Sequence, residues 1–198
     1  MKTVKRSLGT LALAATMVLS VSCKDANQKE ATAAKDNEAQ QETTNDKKDM
    51  AMNASQESKS EIILKDYFNL KDALVNDNHE KAKDLGMTLT TSLKSFDVSN
   101  YTESEQTGLK GIIEDAKEHA EHISESPMEH QREHFDILSK DVIDMIAITG
   151  TDKKLYQDFC PMYNDNKGAA WLSTTKEIKN PYFGSKMMGC GKVQKEIN

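Results

Sequence analysis

Two short segments near the C-terminal end of the sequence concentrate sulfur-bearing side chains. They are Cys160-Pro161-Met162 and Met187-Met188-Gly189-Cys190-Gly191. Thiolates and thioethers are soft, polarisable donors, and as a set they suit Cu(I) better than hard ions such as Mg(II) or Ca(II). Two cysteines and one methionine can form a low-coordinate copper site. The candidate metal ligands are therefore Cys160, Met162, Met187 (or Met188) and Cys190.

The same two thiols have an alternative use as a disulfide. A Cys160–Cys190 bridge would close a loop of about 30 residues and would stabilise the fold by about 3–4 kcal/mol in the chain-entropy model. Composition alone slightly favours the bridge, because exported proteins normally oxidise paired thiols. A bridge does not account for the methionines beside both cysteines, although methionine is also a common gap-filler. A reversible dithiol satisfies both interpretations, so both stay open.

Four of the five histidines form a second, weaker group of metal candidates. In an antiparallel helical hairpin with its turn near Ser126, residues equally far from the turn lie side by side. His122 is then expected opposite His130, and His119 roughly opposite His134. Two facing pairs of imidazoles can hold Zn(II) or Cu(II). Their helical angles put them beside or away from the apolar stripes, which favours solvated polar positions instead.

The elements that must position these residues follow from hydrophobic periodicity. Apolar residues recur every three or four positions in four segments, and this spacing predicts four amphipathic helices. Short polar connections between the segments are typical of antiparallel neighbours in a bundle. The four stripes begin at Ile63, Ala82, Leu109 and Phe135, and the fourth helix is expected to end at Gly150.

Beyond Gly150 the helical period is lost, and glycine, proline, asparagine and aromatic residues become frequent. This composition indicates an irregular region packed by its own aromatic side chains, with a short hairpin as an option. The predicted fold class is therefore all-α: a four-helix antiparallel bundle followed by an irregular C-terminal loop region. Trp171 and Phe183 are expected to form a hydrophobic wall beside the sulfur ligands.

The N-terminal 60 residues divide into two segments. Residues 1–22 have a basic start, a short apolar run and small residues before Cys23, which is typical of a signal peptide. The cysteine after this run resembles the lipidation site of bacterial lipoproteins, although Ser20 replaces the usual large aliphatic residue. An ordinary secretory cleavage nearby is the alternative. Residues 23–60 are predicted to be the lipidated cysteine and a disordered tether, because Lys24 to Ser60 lack aliphatic and aromatic side chains except for alanine and methionine.

Residues 61–198 then form a single helical module that carries the Cys/Met loop. We expect the protein in the cell envelope, held to a membrane by its lipid anchor on the periplasmic face or at the cell surface. The formal net charge of −6 gives no electrostatic footprint for nucleic acid. Glycine-rich phosphate loops and nucleophile elbows do not occur in the sequence, so we do not expect an enzyme.

Several segments together resemble a known domain. They are Tyr67–Leu74, Gln131–Ser139, Cys160-Pro161-Met162, Trp171-Leu172-Ser173, Ile178–Gly184 and Met187–Gly191. Their order and spacing resemble the uncharacterised helical domain found in bacterial lipoproteins and in periplasmic adaptor subunits of heavy-metal efflux pumps. The resemblance runs from about Ile62 to Val193. It implies metal handling linked to copper or silver export, with the two cysteines and their methionines acting as a set.

Overall fold

The computed structural model describes residues 46–197, with side chains described from Lys59 onward. In this range the chain first forms helices α1 (Asp46–Val75), α2 (His79–Lys94), α3 (Glu103–Glu125) and α4 (Met128–Thr149). Strands β1 (Leu155–Cys160), β2 (Ala169–Ser173) and β3 (Lys192–Ile197) follow. A short helical turn at Tyr163–Asn166 and a 3-10 turn at Gly184–Lys186 lie between the strands.

Local signals in the sequence explain where the helices begin and end. The side chain of Asn78 accepts a hydrogen bond from the Lys81 amide at 3.0 Å and caps α2. Thr102 and Glu105 form a reciprocal capping box at the start of α3. Gly150, with φ of 70°, ends α4, and its amide donates to the Ile146 carbonyl at 2.9 Å. These caps fix the helix boundaries to within a few residues of the expected positions.

The apolar stripes face one another as predicted, and the helical bundle is confirmed. Each helix packs on the next, and α1 also packs on α4. The approach of α2 to α3 is especially close at Gly86, where a β-carbon would lie 2.8 Å from the Ala120 carbonyl oxygen. The largest completely buried side chains include Ile63, Tyr67, Leu89, Leu109, Ile123 and Phe135.

The fold is not purely all-α, because the region after Gly150 contains a three-stranded antiparallel sheet. The strand order is β2-β1-β3, so β1 lies in the centre. The optional short hairpin is present as β1 and β2, and β3 pairs with the other side of β1, so the region is more regular than the expected loop region. In β1, Asp158 stands opposite Trp171 of β2, and Cys160 stands opposite Ala169.

Hydrogen bonds from the helices hold the sheet and its loops in place. The buried Tyr67 hydroxyl accepts the Leu172 amide of β2 at 3.1 Å and shares a hydrogen bond of 2.9 Å with the Ser139 hydroxyl. The Arg132 guanidinium of α4 donates to three acceptors: the Pro181 carbonyl at 2.9 Å, the Leu74 carbonyl at 3.0 Å and the Asp77 carboxylate at 2.6 Å. The C-terminal region is therefore fastened to the bundle at two separate places.

The predicted signal peptide at 1–22, the lipidation site at Cys23 and the tether up to residue 45 lie outside the described residues. From Asp46 onward, the segment predicted as tether already belongs to α1. Its alanine, methionine, glutamine, lysine and glutamate residues have high helix propensity. In the described part of the chain, none of the helices has both the length and the apolar character needed to cross a bilayer.

Candidate metal centre

The two cysteines predicted as ligands meet at one end of the sheet. Cys160 is the last residue of β1, and Cys190 lies in the loop just before β3. Their Sγ atoms are 2.8 Å apart, and both are free thiols. Cys160 is completely buried, whereas Cys190 is partly exposed. The structure thus brings together two thiols that are 30 residues apart in sequence.

Asn180 holds the loop that carries Cys190. Its amide group donates to the Cys190 carbonyl at 2.7 Å, and its backbone N–H donates to the Met188 carbonyl at 2.8 Å. Its side-chain oxygen accepts the backbone amides of Tyr182 and Phe183 at 2.8 and 3.1 Å. Asn180 lies in the segment Ile178–Gly184 that resembles a known domain, but its role in holding this loop was not predicted from the sequence. The available signal was an asparagine directly before a proline, a typical start of a side-chain-capped turn.

The candidate methionines lie within three residues of the cysteines in sequence, and two of them are exposed. The backbone amide of Met162 slightly lowers the pKa of the Cys190 thiol. The Met187 carbonyl accepts the Cys190 amide at 3.0 Å. Met162 and Met188 are 52% and 38% exposed. Thioether ligation therefore requires these flexible side chains to turn toward the thiols, which methionine can do through its three rotatable bonds.

The expected hydrophobic wall is partly present. Trp171 is completely buried and lies against the backbone that follows Cys190, since a β-carbon on Gly191 would come within 2.9 Å of its ring. The φ of 142° at Gly191 also disfavours larger residues there. Phe183 lies farther along the loop, with its ring centroid 5.9 Å from that of Tyr163. By contrast, a β-carbon on Gly189 would meet open space, so this side of Cys190 is not crowded.

The thiol of Cys190 resists ionisation. The pKa of Cys190 is raised to about 11, chiefly by burial. The hydrogen bond to Cys160 and the charge that Cys160 would carry as a thiolate raise it further. At neutral pH this thiol keeps its proton unless a metal ion displaces it. The thiol is therefore poorly suited to act as a reactive thiolate, and a metal ion could bind it only by displacing its proton.

A buried carboxyl group that sequence reasoning missed lies near the pair. Asp158 precedes Cys160 by two residues on β1 and is completely buried. Among the described residues, neither of its carboxyl oxygens has a hydrogen-bond partner. Burial raises its pKa to about 7, against the opposing charge of Lys71. The sequence signal was a single acidic residue in an otherwise mostly apolar strand.

The histidines predicted as weaker candidates also come together, in a different arrangement. His119 and His134 face each other across α3 and α4, and their Nδ1 atoms are 3.1 Å apart. His122, which was expected opposite His130, stacks on His134 with a centroid distance of 4.6 Å. His130 is exposed, and its Nδ1 lies 3.6 Å from the Glu133 carboxylate. Within residues 46–197, groups of three or more His, Cys, Asp or Glu side chains placed to hold a metal ion are absent.

A groove of about 960 Å³ lies between α4 and the loop that follows β1. Of the described candidate ligands, Met162 lines this groove and the cysteines do not. The acidic side chains on its walls include Glu129 and Glu133, and the stacked rings of Tyr163 and Tyr182 also line it. The groove gives the methionine side of the centre an open approach from solvent.

Comparison with known proteins covers only the helical part of the molecule. Searches of the curated proteins and of the solved structures gave no match. The segments Tyr67–Leu74 and Gln131–Ser139 lie inside the range that matches a family model, whereas both cysteines lie beyond it. Residues 63–154 match the family described as "Protein of unknown function (DUF3347)" and so resemble an uncharacterised domain family. The match begins within α1 and ends at the residue before β1.

Proposed function

We propose that the chain is an extracytoplasmic, lipid-anchored protein that binds a soft metal ion, Cu(I), through Cys160 and Cys190. It would buffer or deliver this ion in connection with heavy-metal efflux, and it would not act as an enzyme. The observation that carries the proposal is the 2.8 Å approach of the two Sγ atoms at a partly exposed position. Sulfur ligands of this kind select Cu(I) over harder ions.

Metal binding requires a small opening of the thiol pair. Two sulfurs that share a tetrahedral ion at a metal–sulfur distance of about 2.3 Å lie about 3.8 Å apart. The Sγ atoms must therefore separate by about 1 Å from their present 2.8 Å. Cys190 is the residue that can move, because it lies in a loop with open space at Gly189, whereas Cys160 is fixed in the central strand.

The methionines would complete the coordination. Met162 is next to Pro161 in the turn after β1, two residues beyond Cys160. Met187 or Met188 would approach from the other loop. One or two thioethers added to two thiolates give the three- or four-coordinate sulfur site that the composition suggests. The thiol protons of both Cys160 and Cys190 pass to solvent on binding.

A Cu(I) titration of the reduced full chain against a competing chelator, without oxygen, tests the proposal. Cys23→Ser should be present throughout, so that the thiol at the predicted lipidation site does not contribute. We expect one ion per chain, loss of binding in Cys190→Ser, and weaker binding in Met162→Leu. Met87→Leu is the matched control, because Met87 on α2 is 55% exposed, much like Met162 at 52%.

Three results would contradict the proposal. They are no binding by the reduced chain, binding that survives Cys190→Ser, or equal losses in the two methionine variants. X-ray absorption of the copper-loaded chain should show only sulfur in the first coordination sphere. Nitrogen or oxygen ligands in place of sulfur would also contradict it.

The same observation supports a second candidate, a disulfide-stapled structural or interaction module of the cell envelope that binds no metal. Thiols at 2.8 Å need only a small further approach to bond. In this candidate, the groove between α4 and the β1 loop would receive a partner protein. A disulfide cannot present two thiolates, so copper stoichiometry measured with and without reductant separates the two functions.

A further inference from the structure

The pair of imidazoles on α3 and α4 has the spacing of two ligands on one metal ion. The Nδ1 atoms of His119 and His134 are 3.1 Å apart. With metal–nitrogen bonds of about 2.0–2.1 Å, two ligands lie about 3.3 Å apart on a tetrahedral ion. The same bond length gives about 2.9 Å for adjacent ligands on a square-planar Cu(II) ion. The observed spacing falls between these two values, and it also fits a hydrogen bond in which one Nδ1 carries the proton.

The helices hold this pair in place without help from a loop. His119 lies between Ala116 and Ala120, which are buried in the contact of α3 with the rest of the bundle. His134 immediately precedes Phe135, which is completely buried on α4. A ligand pair fixed by packed helices does not need to be ordered when an ion binds.

The surroundings keep the pair neutral and the region negative. Burial lowers the pKa of both His119 and His134 below the ordinary value, and the other histidines of the cluster lower it further. The neutral ring is the form that binds metal ions. The carboxylates of Glu118 and Glu133 lie next to the pair in sequence and oppose these shifts. They would attract a cation to the site.

His122 supports the pair and is not itself a third ligand. Its ring is nearly parallel to that of His134, with an interplanar angle of 8° and a centroid distance of 4.6 Å. Two rings stacked face to face do not direct their nitrogen lone pairs at one point between them. The stacking instead limits rotation of His134.

We propose that His119 and His134 form a second metal site, separate from the thiol pair, that binds Cu(II) or Zn(II) through both Nδ1 atoms. Water fills the remaining coordination positions. In the neutral pair, the ring whose Nδ1 donates to the other has no proton on Nε2. On binding, its proton moves through solvent from Nδ1 to Nε2, so both rings then carry their single proton on Nε2 and no proton is released overall. The thiol pair takes a soft, monovalent ion, whereas this pair takes a borderline divalent one.

Long-range ¹H–¹⁵N NMR of the imidazole rings during addition of Zn²⁺ tests this inference. The full chain should carry Cys23→Ser and Cys190→Ser, so that the thiol pair cannot bind the ion. We expect the Nδ1 resonances of His119 and His134 to shift together and to saturate at one ion per chain. His119→Gln or His134→Gln should weaken binding at least about tenfold, the lower limit known even for outer-shell partners of metal ligands.

His130→Gln is the matched control, because His130 belongs to the same helical hairpin but is exposed beside Glu133. We expect it to bind Zn²⁺ as tightly as the parent chain. Shifts at Nε2 instead of Nδ1 would overturn the inference. Equal weakening by His130→Gln and His119→Gln would also overturn it and would indicate adventitious surface binding. Far-ultraviolet circular dichroism of each variant verifies that the helices remain.

Discussion

Oxidation of the thiol pair should stabilise the module by an amount that follows from chain length. Cys160 and Cys190 are 30 residues apart, and in the chain-entropy model a bridge between them adds about 3.6 kcal/mol to the free energy of unfolding. For a module of this size, such a gain raises the midpoint of thermal unfolding by about 7–14 °C. The gain arises from the restricted unfolded chain and not from new contacts in the folded one.

Urea unfolding of the oxidised and reduced chains measures this difference directly. Trp171 is the single tryptophan of the sequence and is completely buried against the cysteine loop, so its fluorescence reports unfolding of the relevant region. Cys190→Ser is the control and should show no difference between oxidising and reducing conditions. All samples should carry Cys23→Ser.

The reasoning would be refuted if oxidation gave disulfide-linked dimers in place of a bridged monomer. It would also be refuted if the bridged monomer unfolded at the same urea concentration as the reduced chain. The first result would show that the two sulfurs do not lie within bonding reach in the folded protein, and the copper site and the structural bridge would both lose their basis. The second result would show that closing the loop does not restrict the unfolded chain as the chain-entropy model requires.

Three further perturbations test contacts that position the site. Between pH about 4 and 7 the folded chain keeps the Asp158 proton that the unfolded chain releases. The free energy of unfolding should therefore fall as pH rises, by up to about 1.4 kcal/mol per pH unit. Asp158→Asn should remove this slope in urea unfolding measured across that range. Arg132→Lys cannot satisfy the three acceptors of the guanidinium and should lower the free energy of unfolding by about 2–4 kcal/mol. A loss below about 1 kcal/mol would show that these contacts do not fasten the loop. Tyr67→Phe leaves the buried Leu172 amide without its acceptor and should lower the free energy of unfolding by about 1–3 kcal/mol. The loss should exceed that of Ser139→Ala, and the reverse order would contradict the hydrogen-bond assignment.

The helices were predictable because each carries an uninterrupted apolar stripe. Positions such as Tyr67 and Leu138 are completely buried, as their spacing indicated. The start of α1 was not predictable in this way, because residues 46–60 have high helix propensity but no such stripe. Propensity without a packing partner is a weak signal, and composition alone suggested a tether.

The sequence analysis allowed a short hairpin in the C-terminal region but did not locate its strands or predict the third one, for a different reason. In β1 the completely buried Asp158 interrupts the apolar pattern on the face that also carries Cys160. Strand β3 is an edge strand whose side chains are mostly exposed, so it shows little hydrophobic alternation. Strand β2 is only five residues long. Antiparallel pairing leaves little trace in the sequence of such short strands.

The candidate centre was partly predictable. Two clusters of sulfur residues in one small module suggested that Cys160 and Cys190 meet, and the Sγ distance agrees with this. The role of Asn180 depends on the path of the loop around its side chain, which no spacing rule supplies. The stacking of His122 on His134 likewise depends on the rotation of the two helices about their axes, to which the hairpin argument was insensitive.

The boundary between the matched helices and the unmatched sheet has a consequence for other chains of this kind. The match to the family model ends at residue 154, one position before β1, so it does not include the two thiols. A match confined to the helices therefore carries no information about the thiol pair. Relatives should instead be sorted by whether a cysteine ends the central strand and a second one precedes the edge strand.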